Sequence, residues 1–368
     1  MRMLQSILLA TDFRPASQDA VRATIRLSSA FGSRVTLLHA LETVSISPAA
    51  QQHEHRHAEA ALREVAGELA AQKVAVAGSL IVAGPAADTI VRQAGEIDAD
   101  LVVIGAGEMS QSDQFPVGAV AAGVLERASQ PVLAVRPGEP LPKFRKILCP
   151  VDQSGASARG VRNAVHLARV FGGEIVILTV VPPLSWLAAV VEIGQFADAR
   201  TEHEIKWRDE FEKFIQGIDL ENAAVTREVR FGSAHEQIVA AAQEHQADVL
   251  LMGATGRTGL VRVLLGSTTR RVLKKLPCSL LVLKEEEVVE ELFEEDFSTI
   301  NLVMGEAQEL MAAGAYPAAL TRFRQVLGRN PFHLAALEGL AEAHKKVGRR
   351  HEAEFYQHRA DKLRQTWK

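Results

Sequence analysis

Cysteine is nearly missing from this chain: Cys149 and Cys278 are the only two in 368 residues. Two thiols cannot build the disulfide framework of a small secreted scaffold, and the expected compartment is a reducing cytoplasm. Both sit in apolar company and read as small buried hydrophobes. Long apolar runs are missing too: no uninterrupted segment reaches the ~18 residues that suggest a membrane span. The apolar run before Asp12 is too short for a secretory leader. Charge of one sign is also scarce, with a formal net charge of -4, so nothing global favours nucleic acid or an anionic membrane as partner. The remaining composition, 47% hydrophobic and 23% charged, is ordinary for a globular protein, and the length predicts two or three domains.

What is present is a glycine-punctuated stretch, Gly253-Ala-Thr-Gly256-Arg257-Thr-Gly-Leu-Val-Arg-Val-Leu-Leu-Gly266-Ser267-Thr268-Thr269. It follows Asp248-Val-Leu-Leu-Met252, which reads as a buried parallel strand, and it leads into a helical pattern with basic residues late. Strand, glycine loop and a helix start rich in hydroxyls make an anion-binding arrangement, because backbone N–H groups can approach phosphate there. No Gly-Lys-Ser/Thr follows the glycines and no tight Gly-x-Gly-x-x-Gly occurs, so the stretch is neither a Walker loop nor a dinucleotide fingerprint.

Strands and helices alternate along the first part of the chain. Apolar runs at 7–11, Val35–His39, Leu80–Val82, Leu101–Ile104 and Pro131–Val135 are separated by helical patterns at about 16–31, 50–72, from Ile90 onwards and 118–129. Gly32 reads as a helix C-cap. The pattern then restarts: Asp152, Gly172 and Ile175 follow Asp12, Gly32 and Val35 by 140 residues. Gly232, Asp248, Gly253, Gly266 and Ser279 follow Gly84, Asp100, Gly105, Gly118 and Pro131 by 148. Two constant offsets mean a duplicated α/β domain with a parallel sheet and helices on both faces, its eight extra residues lying between 175 and 232. The boundary falls in the turn-rich Pro137-Gly-Glu-Pro-Leu-Pro142.

The spacing Gly253-x2-Gly256-x9-Gly266-Ser267, with Met252 before it and Leu276-Pro277-Cys278 after it, resembles the ATP-binding signature of the universal stress protein family. The resemblance covers about residues 1–286 as a tandem pair. It implies two five-stranded, doubly wound domains of the adenine nucleotide alpha hydrolase-like type, at 1–140 and 141–286. It also implies a site in the second domain. Pro150 and Val151 lead to Asp152, which with Val180 would meet adenine; Met252 leads to Gly253, which with Gly256, Gly266 and Ser267 would line ribose and phosphates. Thr268 stands close by, and Arg257 is a candidate to neutralise phosphate charge. The expected ligand is ATP, with AMP or ADP as alternatives and Mg2+ accompanying ATP. The first copy has Glu108 in place of Gly256 and Ala119 in place of Ser267. A carboxylate and a lost hydroxyl predict that this copy binds no ATP and serves as a packing partner. The last strands of the two copies are expected to pair within the chain, as such strands do across a dimer in the family.

An acidic linker at 287–299 precedes a helical tail at 300–368. Gly314 and Gly348 lie 34 apart, as do Ala319 and Ala353, and Pro331 follows Ala319 by 12. With Tyr316, Phe323 and Leu327 on apolar faces, the tail resembles a tetratricopeptide repeat. The expected function is a cytoplasmic, nucleotide-dependent regulator of the stress response that assembles as a homodimer or engages a protein partner through its tail. Two alternatives stand beside it. One is a slow ATPase or phosphotransferase using Asp152, Ser267, Thr268 and Arg257, and the other is a scaffold acting through the tail alone. His53, His55 and His57 read as a solvated helix face and not as a metal site. Trp186 and Trp207, beside the insertion, suit a lid, a subunit contact or core packing.

Overall fold

The computed structural model describes residues 4–42, 47–108, 115–138, 143–183, 193–220, 222–254, 265–284, 302–329 and 333–366. The first half runs β1 (Ser6–Ala10), α1 (Pro15–Phe31), β2 (Arg34–Leu41), α2 (Pro48–Ala71), β3 (Ala75–Ala83), α3 (Ala86–Glu96), β4 (Leu101–Gly105), α4 (Ala119–Arg127) and β5 (Val132–Val135). The second half repeats it as β6 (Lys146–Val151), α5 (Gly155–Phe171), β7 (Glu174–Val181), α6 (Ile193–Gln216), β8 (Ala224–Phe231), α7 (Ala234–Glu244), β9 (Val249–Gly253), α8 (Ser267–Val272) and β10 (Ser279–Leu283). A 3-10 turn at Leu273–Lys275 extends α8.

Within each half the strands are parallel, and both faces of the sheet are covered. That is why the inner strands β1, β4, β5, β9 and β10 are almost wholly apolar, whereas the edge strands β3 and β8 carry exposed positions. In β1, Ile7 and Leu9 enter one core while Leu8 and Ala10 enter the other. The duplication is visible in detail. Gly32 and Gly172 end α1 and α5 in the left-handed region, at φ 71° and 63°, each donating back into its helix. Asp100 Oδ2 accepts from the backbone N–H groups of Gln5 and Ser6, and Asp248 Oδ2 does the same for Arg145 and Lys146. Each carboxylate thus pins the start of one central strand.

The halves join edge to edge. β5 and β10 pair antiparallel, Leu281 opposite Leu133, closing one ten-stranded sheet in the order β3-β2-β1-β4-β5-β10-β9-β6-β7-β8. Pairing satisfies the backbone of two apolar edges that would otherwise be sticky. Val117 N donates to the Leu273 carbonyl and Leu276 N to the Phe115 carbonyl, both at 2.9 Å, while Arg270 meets Glu126 at 3.2 Å. Each core runs through both halves, and Phe171 stacks on Phe144 at 4.9 Å and meets Phe31 edge-on at 6.0 Å.

One element is longer than its sequence suggests. β3 spans nine residues where Leu80–Val82 carries the apolar signal. It is an edge strand, and Ala75, Gly78 and Ser79 give its first half little hydrophobic pattern; the ladder to β2 decides it.

The tail is helical at 302–312 (α9), then α10 (Tyr316–Arg329), α11 (Leu334–Lys346) and α12 (Arg350–Thr366). Gly314 and Gly348 occupy the same left-handed turn after α9 and α11, at φ 72° and 77°. Ala319, Phe323, Ala336 and Leu340 form a core separate from those of the sheet. The acidic linker lies outside the described residues. No described helix is long and apolar enough to cross a membrane.

Candidate functional site

In an open parallel sheet, ligands sit beyond the carboxyl ends of the strands where the strand order reverses. In the second half that point lies at β6, flanked by β9 on one side and β7 on the other. Pro150 and Val151 end β6 with Asp152 next, Val180 stands near the end of β7, and Met252 and Gly253 end β9. Gly266 is the N-cap of α8, and Ser267 and Thr268 begin that helix. All nine of these residues therefore come to one sheet edge. Gly256 and Arg257 lie outside the described residues, as does Trp186.

Pro150 does more than end a strand. In the first half, Thr11 N donates to the Leu38 carbonyl on β2, so the preceding residue, Ala10, directs its N–H toward β4. Pro150 stands 140 residues after Ala10, and proline has no N–H to give. The registered ladder of β6 with β9 stops at Leu148↔Leu250, whereas β1 with β4 continues to Ala10↔Ile104. The hydrogen-bonded ladder between the central strands of the second half thus ends two residues before its counterpart in the first half. A proline in a central strand is the signal that exposes this in the sequence.

Asp152 shapes the turn into α5. Its Oδ1 accepts from Ser154 N at 3.1 Å and from the hydroxyls of Ser154 and Ser157 at 2.5 Å, while Asp152 N donates to Ser157 Oγ at 3.0 Å. Ser154 Oγ in turn caps α5 by accepting from Ser157 N at 3.2 Å. Gln153 pays for the tight turn with φ 63°, a strained value for a side chain of its size.

Gly266 is not demanded by the fold. Its φ is -56°, and a Cβ there would meet Ala254 O at 3.4 Å, an ordinary contact. Its N–H is spent on the Ala254 carbonyl at 2.8 Å. The start of α8 brings the first-turn amides and the hydroxyls of Ser267 and Thr268 to this edge. On β7, buried Thr179 accepts from Trp207 Nε1 at 3.0 Å, so Trp207 is tied to the strand that carries Val180.

The first half presents the counterpart edge as a cavity of about 370 Å3. The sequence predicts no ATP there; the structure adds that the space itself is kept. Arg14 Nη1 donates to Glu108 Oε1 at 2.8 Å, so the carboxylate that replaces a glycine is held at the rim by an ion pair. Nothing in the residue pattern flagged Arg14, because its partner is 94 positions away.

Cys149 and Cys278 are both buried and neither is in a disulfide, and burial pushes the Cys149 thiol up to about 12. His53, His55 and His57 are exposed on α2.

The family model described as "Universal stress protein family" matches residues 3–136 and 143–284. A universal stress protein of Methanocaldococcus jannaschii is 30% identical over 151 residues, 41% of this chain and 87% of that protein. A universal stress protein E homolog of Haemophilus influenzae is 30% identical over 174 residues, 44% of this chain and 54% of that protein. A universal stress protein structure from Archaeoglobus fulgidus superposes with a TM-score of 0.57 at 21% identity, covering 76% of this chain and 98% of that one.

Proposed function

Because the chain belongs to the universal stress protein family, we propose that its second half binds ATP, or AMP or ADP in its place, and that occupancy regulates the protein's interactions. The observation that carries this reading is the β6–β9 ladder that stops short of Pro150, at the edge where the start of α8 also lies. Adenine would lie toward Asp152 and Val180. The phosphates, with Mg2+ when ATP is bound, would lie against Gly253, Gly256, Gly266, Ser267 and Thr268, with Arg257 as the neutralising cation. Asp152 Oδ1 already accepts three hydrogen bonds from its own turn, which suits a residue that shapes the pocket better than a catalytic base. The protein is cytoplasmic in this reading, and its tetratricopeptide-like tail docks a protein partner or a second copy. For occupancy to regulate anything, the nucleotide must bind two conformations with different affinity.

Native mass spectrometry of the freshly purified chain tests the proposal. One adenine nucleotide per chain is expected, lost in Gly256→Glu. A chain that carries none and takes up none when ATP is added refutes it.

A further inference from the structure

The first-half cavity keeps an apolar floor, including Leu38, Ile90 and Ile104, under a rim that carries Asp12, Arg14 and Glu108. At about 370 Å3 it falls at the lower end of the roughly 300–1,000 Å3 typical of small-molecule pockets. Its electrostatics run against phosphate. Arg14 is the one permanent cation among the described lining residues, and it is already committed between the two carboxylates. Its Nη1 donates to Glu108 at 2.8 Å, its Nε lies 3.8 Å from Asp12 Oδ2, and its backbone N–H donates to Asp12 Oδ1 at 3.1 Å. The rim therefore carries a net negative charge. The start of α4 offers no hydroxyl, since Ala119 stands where the second half has Ser267; the N-cap amides are alike, Gly118 N and Gly266 N each donating to a carbonyl at 2.8 Å. Arg14 also cannot turn to a phosphate without abandoning two carboxylates.

The 140-residue offset makes this cavity the counterpart of the second-half edge, with Asp12 and Ser17 in the places of Asp152 and Ser157. In both halves the serine hydroxyl donates to the aspartate Oδ1. The floor and the aspartate turn are thus kept, and the phosphate side is replaced by a carboxylate. From this we propose that the first half is a second ligand site, selective for an unphosphorylated purine nucleoside over its phosphates. The choice of a purine nucleoside rests on the adenine nucleotide reading of the second half; the selection against phosphate rests on the rim alone. The ribose hydroxyls and any exocyclic amine of such a ligand are donors, which matches a rim of acceptors. A chain of this kind would respond to nucleoside and nucleotide separately.

Isothermal titration of the full chain carrying Ser267→Trp, a bulky ring at an exposed position on the second-half edge, isolates the site, with adenosine and ATP as probes. Adenosine is expected to bind at one equivalent and ATP at least about tenfold more weakly, a gap of about 1.4 kcal/mol. The unmodified chain, saturated with ATP, is expected to take one further equivalent of adenosine. Ala119→Trp, at an exposed position on the cavity wall, should abolish that equivalent while the thermal midpoint stays in place. Glu108→Gln should bring ATP to within about threefold of adenosine by removing the repelling charge. Equal affinity for ATP and adenosine in the Ser267→Trp chain overturns the proposal, as does a further adenosine equivalent that survives Ala119→Trp in the ATP-saturated chain, or no adenosine binding at all. Failure of the second-half reading gives a different result: the unmodified chain ignores ATP, whatever adenosine does at the first half.

Discussion

Leu133→Ala offers a direct measure of how far the two halves are one body. Leu133 is 1% exposed, sits opposite Leu281 across the β5–β10 seam, and belongs to a core that both halves share. Truncating a buried leucine costs about 2–5 kcal/mol, the removed methyls plus the cavity left behind. Against a total stability of about 5–15 kcal/mol, that is a large fraction. With a urea slope of about 3 kcal/mol/M, the unfolding midpoint falls by about 1 M. The readout belongs in the other half: Trp207 fluorescence, with Trp186 and Trp367 replaced by Phe, reports α6 through its bond to Thr179. If the seam and the shared cores couple the halves, the Trp207 midpoint moves as far as the circular dichroism midpoint does. A Trp207 transition that stays where it was, while the first half melts early, would refute the reasoning and make the halves independent domains that merely touch.

Three further outcomes follow from single positions. Pro150→Ala restores a donor facing β9; a ladder bond worth about 0.5–1.5 kcal/mol is offset by roughly 0.4–1 kcal/mol of lost chain stiffness. Stability should therefore barely change, while the new amide exchanges slowly and ATP binds more weakly; fast exchange at position 150 would contradict the account of the shortened ladder. Gly339→Ala drives a Cβ into the Phe323 ring, and overpacking of about 1–3 kcal/mol outweighs a helix-propensity gain of about 1 kcal/mol. The tail should melt earlier, and a higher melting temperature would be the wrong sign. Burial lowers the Lys284 ammonium from 10.5 to about 8, with Glu126 only partly opposing it. Between those two values the unfolded chain holds a proton that the folded chain lacks, so stability should rise as pH climbs from about 8 to 10.5. Below that window the burial penalty on the charged lysine is present in full. Lys284→Met should remove the rise, and an unchanged pH profile in that variant would exclude Lys284 as its source.

Much of the architecture was legible because it is written locally. Apolar strands covered on both faces, left-handed glycines at 32 and 172, and repeated aspartates at 100 and 248 recur at fixed offsets, and each acts through neighbours in sequence or one strand away. The same holds for the tail, where a 34-residue period sets Gly314 and Gly348 in equivalent turns. The residues proposed to hold nucleotide were named by the resemblance; strand ends and a helix start bring nine of the eleven to one edge, and Gly256 and Arg257 lie outside the described residues. What the tertiary structure decided are the long-range pairings. Arg14 reaches Glu108, β3 gains length from its partner β2, and Pro150 matters only because a second strand lies where its N–H would have pointed. The single sheet through both halves likewise depends on two edges meeting antiparallel, 148 residues apart at Leu133 and Leu281. Propensity and periodicity encode what a segment is, but hydrogen bonds between distant segments are settled only when the chain has closed on itself.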